Sequence, residues 1–92
     1  MLKDVIEVKT LENYQVILRF EDGVQGVADI SKLVDFTGIF APLMDRNYFI
    51  QVYVDPELGT ICWPNHADID PDVLYSVATG EPLPEFEKIY AQ

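Results

Sequence analysis

Positive charge is scarce in this 92-residue sequence: six Lys and Arg stand against sixteen Asp and Glu, for a net charge of −10. Binding a phosphate backbone requires clustered Lys and Arg, so direct nucleic-acid binding is not expected. An anionic membrane surface is disfavoured for the same reason. Cysteine is nearly absent. With Cys62 alone, no disulfide can form within the chain, and nothing suggests an oxidising compartment. Histidine is also single, at His66. Long apolar runs are missing, and no window approaches the ~20 residues that a membrane span requires. The start, MLKDVIEVKT, is charged from Lys3 onward and has no apolar signal-peptide core. The expected location is cytoplasmic.

What remains is sufficient for a packed core. The chain is 49% hydrophobic and 12% aromatic, so it does not read as disordered despite its charge. Its length suits one domain. The charge is uneven. Residues 1–54 carry eight acids and five bases, a net of −3, whereas residues 55–92 carry eight acids and only Lys88, a net of −7. Such a field favours encounter with a basic protein partner, although plain solubility would also account for it.

The first third alternates. Val5 to Lys9 reads as a strand and LEN at 11–13 as a turn. In YQVILRF, Tyr14, Val16, Leu18 and Phe20 share one face, which is the pattern of a half-buried strand. Asp22-Gly23 then suggests a two-residue type I′ hairpin, with Val24 to Ala28 as the returning strand. Asp29 is placed to cap a short helix through Val34. FTGIFAPLMD, broken by Gly38 and Pro42, reads as a helical turn or a packed loop. YFIQVYVD at 48–55 reads as a strand, PELG as a turn and TICW at 60–63 as the strand that pairs back.

The densest signal is CWPNHADIDPDVLY, Cys62 to Tyr75. Pro64 ends the strand and Asn65 to Ile69 reads as a loop. Asp70 is the expected N-cap, Pro71 fits the first helical position, and Asp72 faces the positive end of the helix dipole. Val73, Leu74, Val77 and Ala78 would form the buried stripe, and Gly80 the left-handed stop. The last residues, with Pro82 and Pro84, read as a tail that packs through Phe86, Ile89 and Tyr90. The reading is an α+β domain over 1–80 with a tail at 81–92. It comprises an N-terminal antiparallel meander and a second strand pair, packed with a short middle helix and a C-terminal helix.

Chemistry is harder to find. Asp68, Asp70 and Asp72 superficially resemble a calcium loop, but its sixth and twelfth positions need Gly and Glu and hold Val73 and Thr79. Cys62 and His66 are too few ligands for structural zinc. A Cys62–His66 nucleophilic pair lacks any oxyanion-hole signature, and Cys62 lies in an apolar strand where a thiol is usually inert. No nucleophile–base–stabiliser set can be assembled, so no catalytic residue, metal or cofactor is assigned and a non-enzymatic protein is expected. Trp63 and Tyr75 are expected in the core. One alternative is a small-ligand sensor with a concave site lined by Trp63, Tyr75 and Tyr53.

Gly59, Trp63, Pro64, Asn65, Ala67, Asp68, Pro71 and the Leu74-Tyr75 pair resemble the closing motif of a bacterial family called domain of unknown function 2442. LRFEDGVQGVADISKLV and GIFAPLMDRNYFIQVYVD precede it in the family's order, so the resemblance covers about residues 2–80. His66 stands where Gly is the commoner residue, so the resemblance does not by itself require positive φ there. The resemblance implies a small α+β domain with no agreed catalytic residues. It also implies a gene neighbour of another uncharacterised family, domain of unknown function 4160, in pairs proposed to be toxin–antitoxin-like. The expected role is a protein-interaction or regulatory module, antitoxin-like towards a small basic protein, or else a homodimer. The candidate surface is Trp63, Pro64, Asn65, His66, Asp68, Asp70, Asp72 and Tyr75.

Overall fold

A computed structural model describes residues 3–80 of the chain. The tail at 81–92, with its anticipated packing of Phe86, Ile89 and Tyr90, lies outside the described residues. Within them the fold is α+β. Strands β1 (Val5–Thr10), β2 (Gln15–Phe20) and β3 (Gln25–Asp29) form an antiparallel meander in the order β1-β2-β3. Helix α1 (Ile30–Leu33), a 3-10 segment (Gly38–Met44) and helix α2 (Arg46–Phe49) follow. Strands β4 (Tyr53–Asp55) and β5 (Thr60–Cys62) pair as a second sheet, and helix α3 (Pro71–Thr79) closes the fold.

The alternation in β2 sets the core. Val16, Leu18 and Phe20 are fully buried, while Gln15, Ile17 and Arg19 face outward in part. β1 does not alternate simply, because its inward-facing Val5 and Val8 are three residues apart. A bulge at Ile6 reconciles them: Val5 pairs with Phe20, but Glu7 pairs with Arg19. The extra residue flips the register by one, so Val8 turns inward and Glu7 and Lys9 turn outward.

The turn at Asp22-Gly23 differs from the expected two-residue type I′ form. The Gly23 amide donates to the Phe20 carbonyl at 2.9 Å, and the Phe20 amide to the Val24 carbonyl at 2.9 Å. Those bonds enclose Glu21, Asp22 and Gly23, and of these only Gly23 has positive φ, at 88°. This is a type I turn followed by a left-handed residue. The Asp22 carboxylate accepts the Val24 amide at 3.0 Å, which makes the longer loop the better satisfied one. β3 accordingly begins at Gln25 rather than Val24. Asp29 caps α1 as expected, accepting the Ser31 amide at 3.1 Å.

The strand anticipated over 48–55 is cut to its last three residues: Tyr48 and Phe49 belong to α2, and a turn follows them. Asp45 accepts the Asn47 amide at 2.9 Å and so caps α2, leaving only Tyr53–Asp55 extended. The β-branched and aromatic residues of this stretch favour a strand locally, but burial of Phe49 overrides that preference. Arg46 then reaches back to the β1–β2 turn. Its guanidinium donates to the carbonyls of Asn13 and Leu11, the latter at 3.2 Å, and lies 5.3 Å from the Phe49 ring centroid. Sequence reasoning did not single out this residue.

The two sheets meet where the Val5 amide donates to the Gly59 carbonyl at 2.9 Å. α3 packs on the inner side of β3 at Gly26. A methyl group there would stand 2.4 Å from the Ala78 carbonyl oxygen. Leu74 is buried as anticipated, but Val77 is exposed and Ser76 is buried in its place. The helix is rotated so that its small residues meet β3. Gly26→Ala should therefore destabilise the protein by about 1–3 kcal/mol, because the obstacle is backbone and cannot swing aside. Urea unfolding would show this as a lower midpoint; an unchanged midpoint would mean that α3 does not sit this close.

Candidate functional site

The residues from Trp63 to Tyr75 form a reversal, a capped helix start and a tether to the meander. Trp63 is completely buried, and its indole N–H donates to the Phe49 carbonyl at 3.0 Å. Its backbone closes a tight turn: the Trp63 amide donates to the Ala67 carbonyl and the His66 amide to the Trp63 carbonyl, both at 2.9 Å. An isolated bridge joins Cys62 to Asp68. The expected open loop over 65–69 is thus a hairpin-like turn, built like the one at Glu21–Gly23. His66 occupies the position of Gly23 and adopts φ of 72°. The resemblance alone did not demand positive φ there; the turn geometry does, and His is among the side chains that tolerate it.

Asn65 is used in full. Its amide donates to the Tyr48 hydroxyl at 2.9 Å, its side-chain NH2 to the Ile39 carbonyl at 2.9 Å, and its side-chain oxygen accepts the Ala67 amide at 3.2 Å. The turn is thereby fixed to α2 and to the 3-10 segment. Beyond it, Ala67 and Ile69 point inward while Asp68 and Asp70 point outward. Asp70 caps α3 through the Asp72 amide at 2.8 Å, with Pro71 at the first position and left-handed Gly80 at the end, as expected.

The structure brings Asp68, Asp70 and Asp72 together. They line one shallow concavity of about 430 Å3, together with the exposed Leu58. Among the described residues, no group of three or more His, Cys, Asp and Glu is placed to hold a metal ion. Cys62 is buried, and burial, reinforced by Asp68 and Asp55, pushes its thiol pKa up. That environment keeps the thiol protonated, the opposite of what a nucleophile needs. Pro64 and His66 are exposed.

Tyr75 is half-buried rather than fully in the core. Its ring meets Phe20 edge-on, with centroids 4.9 Å apart, and its hydroxyl donates to the Asp22 carboxylate at 2.7 Å. Trp63, Tyr75 and Tyr53 do not share the concave site anticipated for a ligand. Trp63 has no exposed surface, Tyr75 is turned to the β2–β3 hairpin, and Tyr53 is exposed beside β1.

Fold and site together define a small α+β domain in which Asp68, Asp70 and Asp72 lie between a hydrogen-bonded turn and the first turn of α3. The chain belongs to the family described as Protein of unknown function (DUF2442), which matches it over residues 5–80. No curated protein and no solved structure matches it. No helix among the described residues is long and apolar enough to cross a membrane.

Two outcomes follow from this geometry. His66→Gly should raise stability by about 0.5–1 kcal/mol, because glycine adopts left-handed φ without the Cβ penalty. A thermal unfolding midpoint that falls instead would mean that the His66 side chain makes a stabilising contact. The Asp22 carboxyl pKa is held below its ordinary value, first by the Tyr75 hydroxyl and next by the Val24 amide. A lowered folded-state pKa gives stability that is present above the unfolded value and lost as pH falls through the folded one. Tyr75→Phe should move the Asp22 titration, followed by NMR, upward toward the ordinary carboxyl range. The acid-side decline in stability should then become shallower.

Proposed function

We propose that the protein is a non-enzymatic interaction module whose acidic face docks a small basic protein, in an antitoxin-like or regulatory pairing. The observation that carries this reading is the gathering of Asp68, Asp70 and Asp72 beside exposed Leu58, on backbone held by the Asn65 bonds. A charged surface with an apolar neighbour suits steering followed by desolvated contact. The sequence supports it too, with a net of −7 in residues 55–92 from eight acids and Lys88. The carboxylates have structural work as well. Asp70 caps α3, so its removal would cost stability by itself.

The test separates these roles. A tagged chain expressed in its native cell is captured at low and at high salt, and stoichiometric companions are identified by mass spectrometry. A small basic protein held at low salt and released at high salt is the expected result. With that partner purified, Asp68→Asn combined with Asp72→Asn, leaving Asp70 intact, should slow association about tenfold at low salt and flatten its salt dependence. A partner whose association ignores both salt and these substitutions would remove the electrostatic basis of the proposal.

A further inference from the structure

The meander has two edges, and the fold closes one of them. On the β1 side the second sheet is attached through the Val5–Gly59 bond. On the other side β3 has β2 as its neighbour and no strand beyond it among the described residues. The direction of its free groups follows from the ladder. The Phe20 amide donates to the Val24 carbonyl and the Ile30 amide to the Tyr14 carbonyl. The register between them is unbroken, with Leu18 opposite Gly26 and Val16 opposite Ala28. The hydrogen-bonded pairs therefore fall on the even-numbered residues of β3, and the backbone N–H and C=O of Gln25 and Val27 point away from β2. Neither amide has a partner among the described residues. Val27, at the centre of this edge, is 46% exposed. An open strand edge with an apolar residue at its centre is a place for adding a strand.

The chain itself supplies a matching segment. α3 runs over the inner side of β3 with Ala78 against Gly26, and Gly80 ends it in a left-handed conformation. The sequence continues EPLPEFEKIYAQ from 81 to 92. Five residue steps from Ala78 to Leu83 reach about 17 Å, whereas a strand added to β3 lies only about 4.8 Å beyond it. Pro82 and Pro84 decide which side of such a strand can face β3. Both lack an N–H and both are even-numbered, so they suit positions turned to water, and Leu83 and Glu85 are left to bond the edge. An antiparallel register with Leu83 opposite Val27 puts Glu85 opposite Gln25, whose side-chain amide can donate to the carboxylate. It also puts Pro84 opposite Gly26 and Phe86 opposite Val24, so an apolar pair forms on each face. Shifted by two residues, the same segment sets Glu81 or Glu85 against Val27. The Asp29 carboxylate is held by Ser31 in the first turn of α1, so pairing begins beyond it, at Leu83.

We propose that residues 82–87 add a fourth strand to the open edge of β3, antiparallel to it and in this register. The two prolines then line the new edge, which offers fewer donors to any further strand. The contact uses none of Asp68, Asp70 and Asp72, so it stands or falls independently of the docking of a basic partner.

Amide hydrogen exchange of the full chain, read by NMR, tests it. Gln25 and Val27 should exchange at least about tenfold more slowly than unbonded amides, at a rate that does not change between about 50 and 500 μM protein. A short distance between the Hα protons of Pro84 and Gly26 should mark the register, since this is a pair without hydrogen bonds, with Cα atoms about 4.5 Å apart. Glu85→Pro removes the central donor facing the edge and should return both amides to fast exchange. Glu85→Gln keeps that donor and should not. Gly26 and Ala28, bonded to β2, should stay protected in both variants, which reports that the fold persists. Fast exchange at Val27 in the unaltered chain overturns the proposal, as does the absence of the Pro84–Gly26 contact. Protection that survives Glu85→Pro overturns it too, and protection that fades on dilution assigns the edge to a second copy instead.

Discussion

The indole of Trp63 has no access to water, so its single N–H must find an acceptor inside the protein. That acceptor is the carbonyl of Phe49, at the end of a helix of only four residues. Much else follows from this bond. Phe49 must be buried beside the indole, with ring centroids 5.9 Å apart, which holds α2 against the second sheet. Arg46, on the same helix, then lies within reach of the β1–β2 turn. Asn65, two residues beyond the indole, closes the other side by bonding to Tyr48 and Ile39. A short helix with little intrinsic stability is thus held by packing and by acceptors of fixed position.

Local chemistry was legible wherever it acts over a few residues. The alternation of YQVILRF gave β2 and its buried face, and Asp70-Pro71 with Gly80 gave both ends of α3. The family resemblance, carried by the Trp-Pro-Asn stretch and its flanks, also held. What stayed hidden depends on distant partners. Tyr48 to Asp55 has every local mark of a strand, yet Asp45 and the burial of Phe49 turn its first part helical. Arg46 bonds carbonyls 33 and 35 positions away, and no spacing rule reports that. Val77 fits the helical stripe by period, but the close approach of Ala78 to Gly26 rotates the helix and leaves it in water. The bulge at Ile6 was readable in principle: Val5 and Val8 cannot share a strand face at a spacing of three without one extra residue between them.

The acidic surface illustrates how position and charge divide their roles. Asp68 and Asp70 face outward because Ala67 and Ile69 alternate with them into the core. Asp70 serves the helix as a cap. The turn that carries these residues holds its left-handed step at His66 rather than at glycine. The second such turn, at Gly23, lies under Tyr75, so the two ends of the Trp63–Tyr75 stretch abut two copies of one loop design. In one, glycine relieves the backbone; in the other, a network of Asn65 bonds holds a less comfortable residue in place.

Asp22 lies between the two limits of the described fold. Lys3 acts on its carboxylate from the beginning of the chain, and Tyr75 of α3 donates a hydrogen bond to it. Asp4 meanwhile exchanges hydrogen bonds with Glu21, the next residue along. Chain topology here is close to a ring whose clasp is a single hairpin tip.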